Sequence, residues 1–352
     1  MTTDWVSSFL QSGAIIRRSD DDYLVGVDLV PTSEGSTGCF FQSDFFLTDT
    51  QWLKPTSFQC LSKNELINSL RSFAEMDDTS FPELDWNVYL KRDFFPVYDD
   101  IQLAFRVSQF EKIVPAIYHD APIELSLCHR ARLLLSALNY TSGTYDYLYG
   151  IWSDRHGMIG VSPEQLLTYC TQSKVLRTMA LAGTLNSDYP DTKLLQSAKD
   201  NHEHALVVQG IQEVLQRFGP VHVGRRQIMT IKSFHHLYTP MSCHFSDHFE
   251  FDTVIRALHP TPALGGYPSK PSFQWLCNHV DQRDRSLFGA PFGVCDDQGN
   301  YHVVVSIRNV QWQSDRLSVW AGCGIVPESQ FESEWAELGA KIDSVKAIFS
   351  LK

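Results

Sequence analysis

The sequence predicts an α+β fold that contains long helices and strands paired as hairpins. Residues 145–151 and 158–161 are apolar runs separated by a polar turn, which is typical of two paired strands. Residues 333–349 instead repeat apolar side chains every three or four positions, which predicts a helix with one buried face. The chain has 352 residues and no glycine- or proline-rich linker, so it is long enough for a sizeable core without an evident domain boundary.

The composition predicts an acidic cytoplasmic protein. A net charge of −12 without any basic run argues against a nucleic-acid partner. We expect no membrane partner and no export, because no apolar stretch reaches about 18 residues and residues 1–17 do not resemble a signal peptide. The eight scattered cysteines lack zinc-site spacing and indicate reduced thiols. No heptad repeat is present, so we expect a monomer or at most a weak dimer.

Residues 1–104 contain predicted elements but few candidate functional residues. Helices are expected at residues 4–10 and 65–73, and strands at residues 23–27 and 85–90. The many aromatic side chains of this part favour the core of a sheet over a stacking role in binding.

Beyond residue 100 the pattern predicts a helix at residues 101–109, a second helix over the later part of residues 123–139, and a strand at residues 166–170. Pro163 precedes that strand and cannot donate a hydrogen bond to a central ladder. Its neighbour Glu164 is therefore expected at a sheet edge or cleft, or else in a plain surface turn.

Two predicted helices each carry a pair of carboxylates three residues apart. Asp200 and Glu203 begin one helix, while Glu334 and Glu337 lie on the other with Lys341 on the same side. Together the acids would form an oxygen-rich site suited to Mg²⁺ rather than to zinc or copper. The alternative, compensation of the helix dipole, explains Asp200 better than Glu337. The first helix is predicted to bury Ala205, Val208, Ile211, Leu215 and Phe218.

A glycine-rich turn comes just before the second acidic helix. Gly322 and Gly324 allow backbone N–H groups to approach a ligand, and such a nest of donors suits a carboxylate or phosphate. The alternative is an ordinary loop followed by a solvated helix face.

Several motifs, in this order along the chain, resemble those of the chorismate-utilising enzymes, which include isochorismate, salicylate, anthranilate and aminodeoxychorismate synthases. The motifs are Ser162-Pro-Glu164, Ala182-Gly-Thr184, Lys199-Asp-x-x-Glu-His204, His236-Leu237, Leu258-His-Pro-Thr-Pro-Ala263, Ile307-Arg308, Ala321-Gly-x-Gly-Ile-Val326 and Glu334-Trp-x-Glu337. The resemblance covers about residues 105–350. It implies a single domain over residues 1–352, in which two large antiparallel sheets pack together with helices outside and residues 1–104 form a divergent N-terminal half.

The resemblance also implies a ligand set. Glu203, Glu334 and Glu337 match the magnesium ligands of the family, with Asp200 at a position that often binds through water. The metal would neutralise the ring carboxylate of chorismate. The other predicted substrate contacts are Thr184, His236, Ala263, Leu264, Ile307, Arg308, Gly322, Gly324 and Lys341.

Among these contacts, Arg308, Lys341 and the glycine turn match groups that hold the enolpyruvyl carboxylate, for which a guanidinium and an ammonium are suitable donors. On its own, His236 favours a hydrogen-bonded core histidine, and only the neighbouring Leu237 indicates a substrate contact.

Two residues are predicted to carry the chemistry. Lys112 matches the lysine of the water-using members of the family, where ammonia-using members usually have glutamine. Water attack at ring carbon 2 needs a base, so Lys112 must become neutral, and loss of the carbon 4 hydroxyl needs an acid, so Glu164 must hold a proton.

The resemblance is nearest to isochorismate synthase. The loop 259–266 has that form, and Phe288 and Ile307 stand where salicylate synthases usually carry Tyr and Leu. The alternatives are a salicylate, aminodeoxychorismate or anthranilate synthase, or a non-catalytic paralogue that binds chorismate. The sequence leaves open whether the product would enter menaquinone, siderophore or salicylate biosynthesis.

Overall fold

The computed structural model describes residues 4–33, 35–76, 81–246, 248–282 and 284–352. Within these ranges the chain forms nine helices and 19 strands. The helices are α1 (Asp4–Gln11), α2 (Lys63–Ala74), α3 (Lys91–Arg106), α4 (Leu127–Tyr140), α5 (Thr192–Gln196), α6 (Ala198–Leu215), α7 (Phe251–Leu258), α8 (Ser269–Asn278) and α9 (Phe331–Ile348). None of these helices has the length and apolar content needed to span a bilayer.

The strands of the described ranges are short to medium in length. They are β1 (Gly13–Ser19), β2 (Asp22–Thr32), β3 (Cys39–Ser43), β4 (Thr50–Leu61), β5 (Asn87–Val88), β6 (Lys112–Ile113), β7 (Ala116–Pro122), β8 (Tyr147–Trp152), β9 (His156–Ser162), β10 (Gln165–Cys170), β11 (Val175–Asn186), β12 (Val221–Val223), β13 (Gln227–Ile231), β14 (Phe234–His244), β15 (Gly266–Tyr267), β16 (Pro291–Cys295), β17 (Tyr301–Val305), β18 (Asn309–Gln313) and β19 (Arg316–Gly322).

Seventeen of the strands form one continuous antiparallel sheet. The first half of its strand order is β5-β7-β19-β18-β9-β8-β1, and the second half is β2-β4-β3-β16-β17-β10-β11-β14, with β12 and β13 both paired to β14. The halves are joined where β1 pairs with β2. The remaining strands, β6 and β15, pair with each other in a small separate sheet.

The two halves fold back and pack face to face. The ring centre of Tyr149 in β8 lies 5.8 Å from the ring centre of Phe292 in β16. In the order of hydrogen-bonded strands, β16 is the fifth strand after β8, so the sheet must fold back to bring these rings together. One buried cluster consists entirely of strand residues from both halves, whereas the largest cluster joins strands to α2, α3, α4, α6, α7 and α9. The predicted α+β sandwich is therefore confirmed, and the structure adds that its two sheets are continuous.

The chain passes between the two halves at adjacent places. Residues 163–164 connect β9 to β10, and residues 306–308 connect β17 to β18. The amide of Val161 donates to the carbonyl of Arg308 over 3.1 Å, and the amide of Val305 donates to the carbonyl of Glu164 over 3.0 Å. These hydrogen bonds hold the two connections side by side, so Glu164 and Arg308 lie at one place.

Most elements predicted from the sequence are present, with altered bounds. The predicted hairpin is β8 and β9, in which Gly150 lies opposite Ile159. The helix predicted at residues 101–109 starts earlier, at Lys91, because Pro96 within it obscures the helical pattern. The strand predicted at residues 85–90 is limited to the two residues of β5.

The buried face predicted for α6 is wrong at both ends, since the predicted Phe218 lies beyond Leu215, the last residue of the helix, and is only partly buried. Ala205 is exposed, and Val208 is only partly buried, whereas Glu203 and His204 are buried. The apolar pattern assigns charged residues to solvent, but this helix turns a carboxylate inward, toward lysine side chains that compensate its charge.

We predict that Gly339→Ala stabilises the protein by about 0.5–1 kcal/mol. Gly339 lies inside α9, and a Cβ built there meets no atom within 4 Å, so alanine would add helix propensity without a clash. Urea unfolding would measure the change. The neighbouring Leu338 is fully buried, and Leu338→Ala is the matched comparison, expected to cost about 2–5 kcal/mol. Loss of stability in Gly339→Ala would contradict the open surroundings of this position.

Candidate active site

A cavity lies beside the two connections between the sheet halves. It contains about 680 Å³ of space including its open mouth, a size typical of small-molecule sites. All the predicted substrate contacts line it: Thr184, His236, Ala263, Leu264, Ile307, Arg308, Gly322, Gly324 and Lys341. The predicted acid Glu164 and the predicted metal ligands Glu203 and Glu337 line it as well. Lys112, Asp200 and Glu334 are not part of this lining.

Burial determines the protonation state of Glu164. The residue is 3% exposed, and its carboxyl group has no hydrogen bond from any described residue. Burial raises the pKa of Glu164 to about 8, although the ammonium groups of Lys112 and Lys341 act in the opposite direction. The carboxyl group is therefore mainly protonated at neutral pH and is equipped to donate a proton.

Thr184 of β11 and His236 of β14 are paired across neighbouring strands. The Thr184 hydroxyl lies 3.2 Å from Nδ1 of His236. Burial, reinforced by the charges of Arg308 and Lys341, lowers the pKa of His236 to about 3. The imidazole is consequently neutral and offers hydrogen bonding to the cavity rather than charge.

A bulge in β11 makes room for α6. The register of β11 against β14 shifts between Ala182 and Thr184, and Gly183 between them has a φ of 76°. A Cβ on Gly183 would lie only 3.2 Å from Cβ of Asp200. Both the left-handed backbone and the close approach of α6 therefore favour glycine here.

Arg308 presents a cation that is not neutralised by a carboxylate. Its guanidinium lies 4.8 Å from the ring centre of Phe234, and it forms no ion pair within the described part of the chain. Its backbone has a φ of 56°, in the left-handed region that non-glycine residues seldom occupy. Such a conformation, held at the wall of a cavity, is typical of a functional constraint.

Lys341 and the glycine turn also line the wall of the cavity. The Lys341 ammonium donates to the Gly322 carbonyl over 2.7 Å and is 2.6 Å from the Glu337 carboxylate. A Cβ on Gly324 would overlap Oε1 of Glu203, so a side chain at this position would displace that carboxylate.

The turn offers fewer free amides than the sequence predicts for a nest. The amides of Cys323 and Ile325 donate to the carbonyls of Pro115 and Ile113. The amide of Gly324 has no partner among the described residues, so it is available to a ligand.

Lys112 is a fully buried amine behind Glu203. Strand β6 holds it through its pairing with β15, in which Lys112 lies opposite Tyr267. Its Nζ donates to the Pro262 carbonyl over 2.7 Å and lies 3.2 Å from Oε1 of Glu203. Burial lowers the pKa of Lys112, and the attraction to Glu203 opposes this effect.

Helices α6 and α9 bring three of the four predicted metal ligands around one lysine. Nζ of Lys199 lies 3.1 Å from Glu203, 3.2 Å from Glu334 and 3.6 Å from Asp200. Burial would raise the pKa of Glu203, but Lys199 and Lys112 outweigh it and hold this pKa at about 2. Sequence reasoning gave Lys199 no role, although its spacing of four residues from Glu203 is a signal for an ion pair.

Glu334 responds to the cluster in the opposite way. Burial, together with the like charge of Glu337, raises the pKa of Glu334 to about 7 despite the ammonium of Lys199. Its Oε2 is buried without a hydrogen-bond partner among the described residues. The cluster thus lacks one positive or hydrogen-bonding group at this oxygen.

A family model described as chorismate binding enzyme matches residues 49–350. The chain belongs to the chorismate binding enzyme family. The motifs quoted above identified this family correctly, and they placed its start near residue 105. The match begins earlier and includes β4, α2 and α3, in which those motifs are absent.

Two proteins that the chain resembles in sequence are named isochorismate synthases. It is 36% identical over 204 residues to the isochorismate synthase EntC of Escherichia coli K12, which covers 55% of this chain and 51% of that protein. It is 26% identical over 351 residues to the isochorismate synthase MenF of Bacillus subtilis 168, which covers 92% and 68%. The chain therefore spans about half the length of the first relative.

A solved structure of the menaquinone-specific isochorismate synthase MenF from Escherichia coli has a TM-score of 0.79 with this structure. The comparison covers 99% of this chain and 91% of that chain at 18% identity. At this identity the likeness shows a shared fold.

The carboxylate cluster of this member of the family fits a hard divalent cation in its donor type. All the predicted ligands offer oxygen, and the orphaned Oε2 of Glu334 indicates an unmet need for a cation or donor. Within the described ranges, however, no three His, Cys, Asp or Glu side chains are arranged to hold a metal ion. The ammonium of Lys199 lies among these carboxylates in the present arrangement.

We predict that the free energy of unfolding of the wild type, minus that of Glu164→Gln, falls as the pH rises from about 4.5 to 8. The folded protein keeps a proton on Glu164 up to a pKa of about 8, whereas the unfolded chain releases it near the ordinary value of 4.5. Over this window the folded state binds more protons, so each increase in pH favours unfolding, whereas glutamine is neutral throughout. The difference should amount to a few kcal/mol.

Urea unfolding of both proteins at pH 5, 7 and 9, without substrate and with a chelator, would measure this difference. A stability difference that stays constant across the three pH values would show that Glu164 does not titrate with a raised pKa.

Proposed function

We propose that this protein is an isochorismate synthase, which converts chorismate reversibly to isochorismate with magnesium as cofactor. Water attacks ring carbon 2, and the hydroxyl at carbon 4 leaves. The proposal depends chiefly on a protonated carboxyl group, Glu164, in a cavity that also exposes the unpaired Arg308 and is backed by the buried amine of Lys112. The names of the relatives from Escherichia coli and Bacillus subtilis support it.

The charges of the cavity suit a substrate with two carboxylates. Arg308 and Lys341 are the proposed donors to the enolpyruvyl carboxylate, since a planar guanidinium and an ammonium both form charge-assisted hydrogen bonds. Glu203, Glu334, Glu337 and Asp200 would hold the magnesium ion, which when bound supplies the charge that neutralises the ring carboxylate.

The apolar part of the cavity suits the ring of the substrate. Phe288 and Trp320 stack with their ring centres 6.0 Å apart, and Leu264 and Ile307 also line the cavity. Such a wall excludes water from the ring and strengthens the electrostatic interactions within the cavity.

Glu164 is the proposed general acid. The hydroxyl at carbon 4 leaves as water after it takes the proton of Glu164, and the resulting carboxylate faces the positive charges of Lys112 and Lys341. A pKa near 8 lets the side chain hold its proton at neutral pH and still release it in the reaction.

Lys112 is the proposed general base. Its burial favours the neutral amine, which accepts a proton from the attacking water. Because Lys112 does not line the cavity, the proposal requires the attacking water to come within hydrogen-bond distance of its Nζ, beside Glu203.

Product analysis tests the function. We predict that incubation with chorismate and MgCl₂, with or without ammonium, yields isochorismate alone when products are separated by chromatography, and that EDTA abolishes turnover. Salicylate would indicate a salicylate synthase, an ammonium-dependent product an aminating enzyme, and no turnover a binding protein. Each of these three results would overturn the proposal.

We predict that Lys112→Gln lowers kcat by at least about 100-fold, the usual contribution of a general base, while chorismate binding is largely retained. Glutamine still donates a hydrogen bond to the Pro262 carbonyl but cannot accept the proton of water. Calorimetric titration with chorismate and initial-rate assays would separate the two effects. Lys193→Gln, at an exposed lysine of α5, is the control. Unchanged turnover, or lost binding, in Lys112→Gln would refute its role as base.

A further inference from the structure

Lys199 has more carboxylate partners than an ordinary surface lysine. It contacts three of the four predicted metal ligands, at distances of 3.1 Å to Glu203, 3.2 Å to Glu334 and 3.6 Å to Asp200. These partners come from two helices, α6 and α9, so the ammonium lies at the junction where the ligand sets meet. These three carboxylates surround the ammonium with negative charge, which favours its charged form.

The position of Lys199 is not explained by helix stability. It lies in the first turn of α6, two residues after the N-cap Ser197, where the helix dipole opposes a positive charge. The carboxylates, rather than the helix, therefore hold the ammonium where it is. Its side chain is 21% exposed, which leaves it a route by which to turn toward solvent.

Lys199 does not provide a partner for every carboxylate oxygen of the cluster. Glu334 is 2% exposed, and its Oε2 has no partner among the described residues even though Oε1 contacts Lys199. A monovalent ammonium with three donors leaves an oxygen of the cluster unpaired, whereas a divalent ion with six or more coordination positions has room for it.

We propose that Lys199 is an internal counterion that occupies the position of the divalent cation and must withdraw before that ion binds, so that Lys199 sets the metal affinity of the site. The inference rests on the proposed function in one respect, the choice of magnesium as the ion. Metal binding is then an exchange of one cation for another. Without metal, the ammonium of Lys199 compensates the negative charge of the carboxylates, but its displacement lowers the affinity of the site for the metal ion.

The test is metal binding by Lys199→Met in the full chain. Methionine keeps the length of the side chain and removes its charge, so Mg²⁺ no longer competes with an ammonium, and we expect its Kd to fall by at least about tenfold. Isothermal titration with MgCl₂, and electron paramagnetic resonance with Mn²⁺ as a second probe, would measure the Kd without substrate.

Two further variants control for effects other than competition. Lys199→Arg keeps the positive charge and is expected to bind Mg²⁺ no more tightly than the wild type. Lys193→Met removes an exposed lysine outside the cluster and is expected to leave the Kd unchanged. Thermal unfolding with and without MgCl₂ gives a second readout, in which Lys199→Met should show the larger magnesium-induced rise in Tm.

Equal or weaker metal binding by Lys199→Met would overturn the inference, as would a Lys199→Arg variant that binds as tightly as Lys199→Met. If Lys199→Met folds only when MgCl₂ is present, that dependence supports the counterion role, and failure to fold even with MgCl₂ counts against it. Turnover of chorismate by the wild type is scored separately. Tighter Mg²⁺ binding by Lys199→Met, without turnover of chorismate by the wild type, would refute the proposed function alone. Turnover by the wild type, with the same Mg²⁺ affinity in both proteins, would refute the counterion role alone.

Discussion

The site depends on two connections of the chain that lie side by side between the halves of the sheet. Backbone hydrogen bonds from Val161 to Arg308 and from Val305 to Glu164 hold them together. Each connection must leave one half and enter the other, so its residues cannot continue a regular ladder and turn toward the space between them. An acid and a cation more than 140 residues apart in sequence therefore meet in one cavity without any direct pairing between their side chains.

Electrostatic surroundings then give side chains of one type different properties. Glu203 has two lysines within ion-pair distance, which hold its pKa at about 2, whereas Glu164 has no hydrogen-bonded cation, and burial raises its pKa to about 8. One carboxylate is thus suited to hold positive charge and the other to carry a proton. The lysines are as important to this division as the acids, since without them the buried carboxylates would repel one another.

Much of the site could be predicted from local sequence because its residues lie in short motifs at helix starts and strand ends. The element type was predicted correctly for α9 and for β8 and β9, where the apolar pattern is regular. The pattern failed for α6, whose buried face includes Glu203 and His204. A rule that assigns charge to solvent cannot anticipate Lys112, a partner of Glu203 that comes from β6, far away in sequence.

The sequence by itself determined the family, the α+β class and the identity of the residues around the cavity, because motif spacing and apolar periodicity are local properties. Only the tertiary structure decided how those residues are paired. It brought Lys112 behind Glu203 rather than into the cavity wall, and it made Lys199 the partner of three acids. Pairing depends on distances between elements remote in the chain, and burial then converts those distances into protonation states.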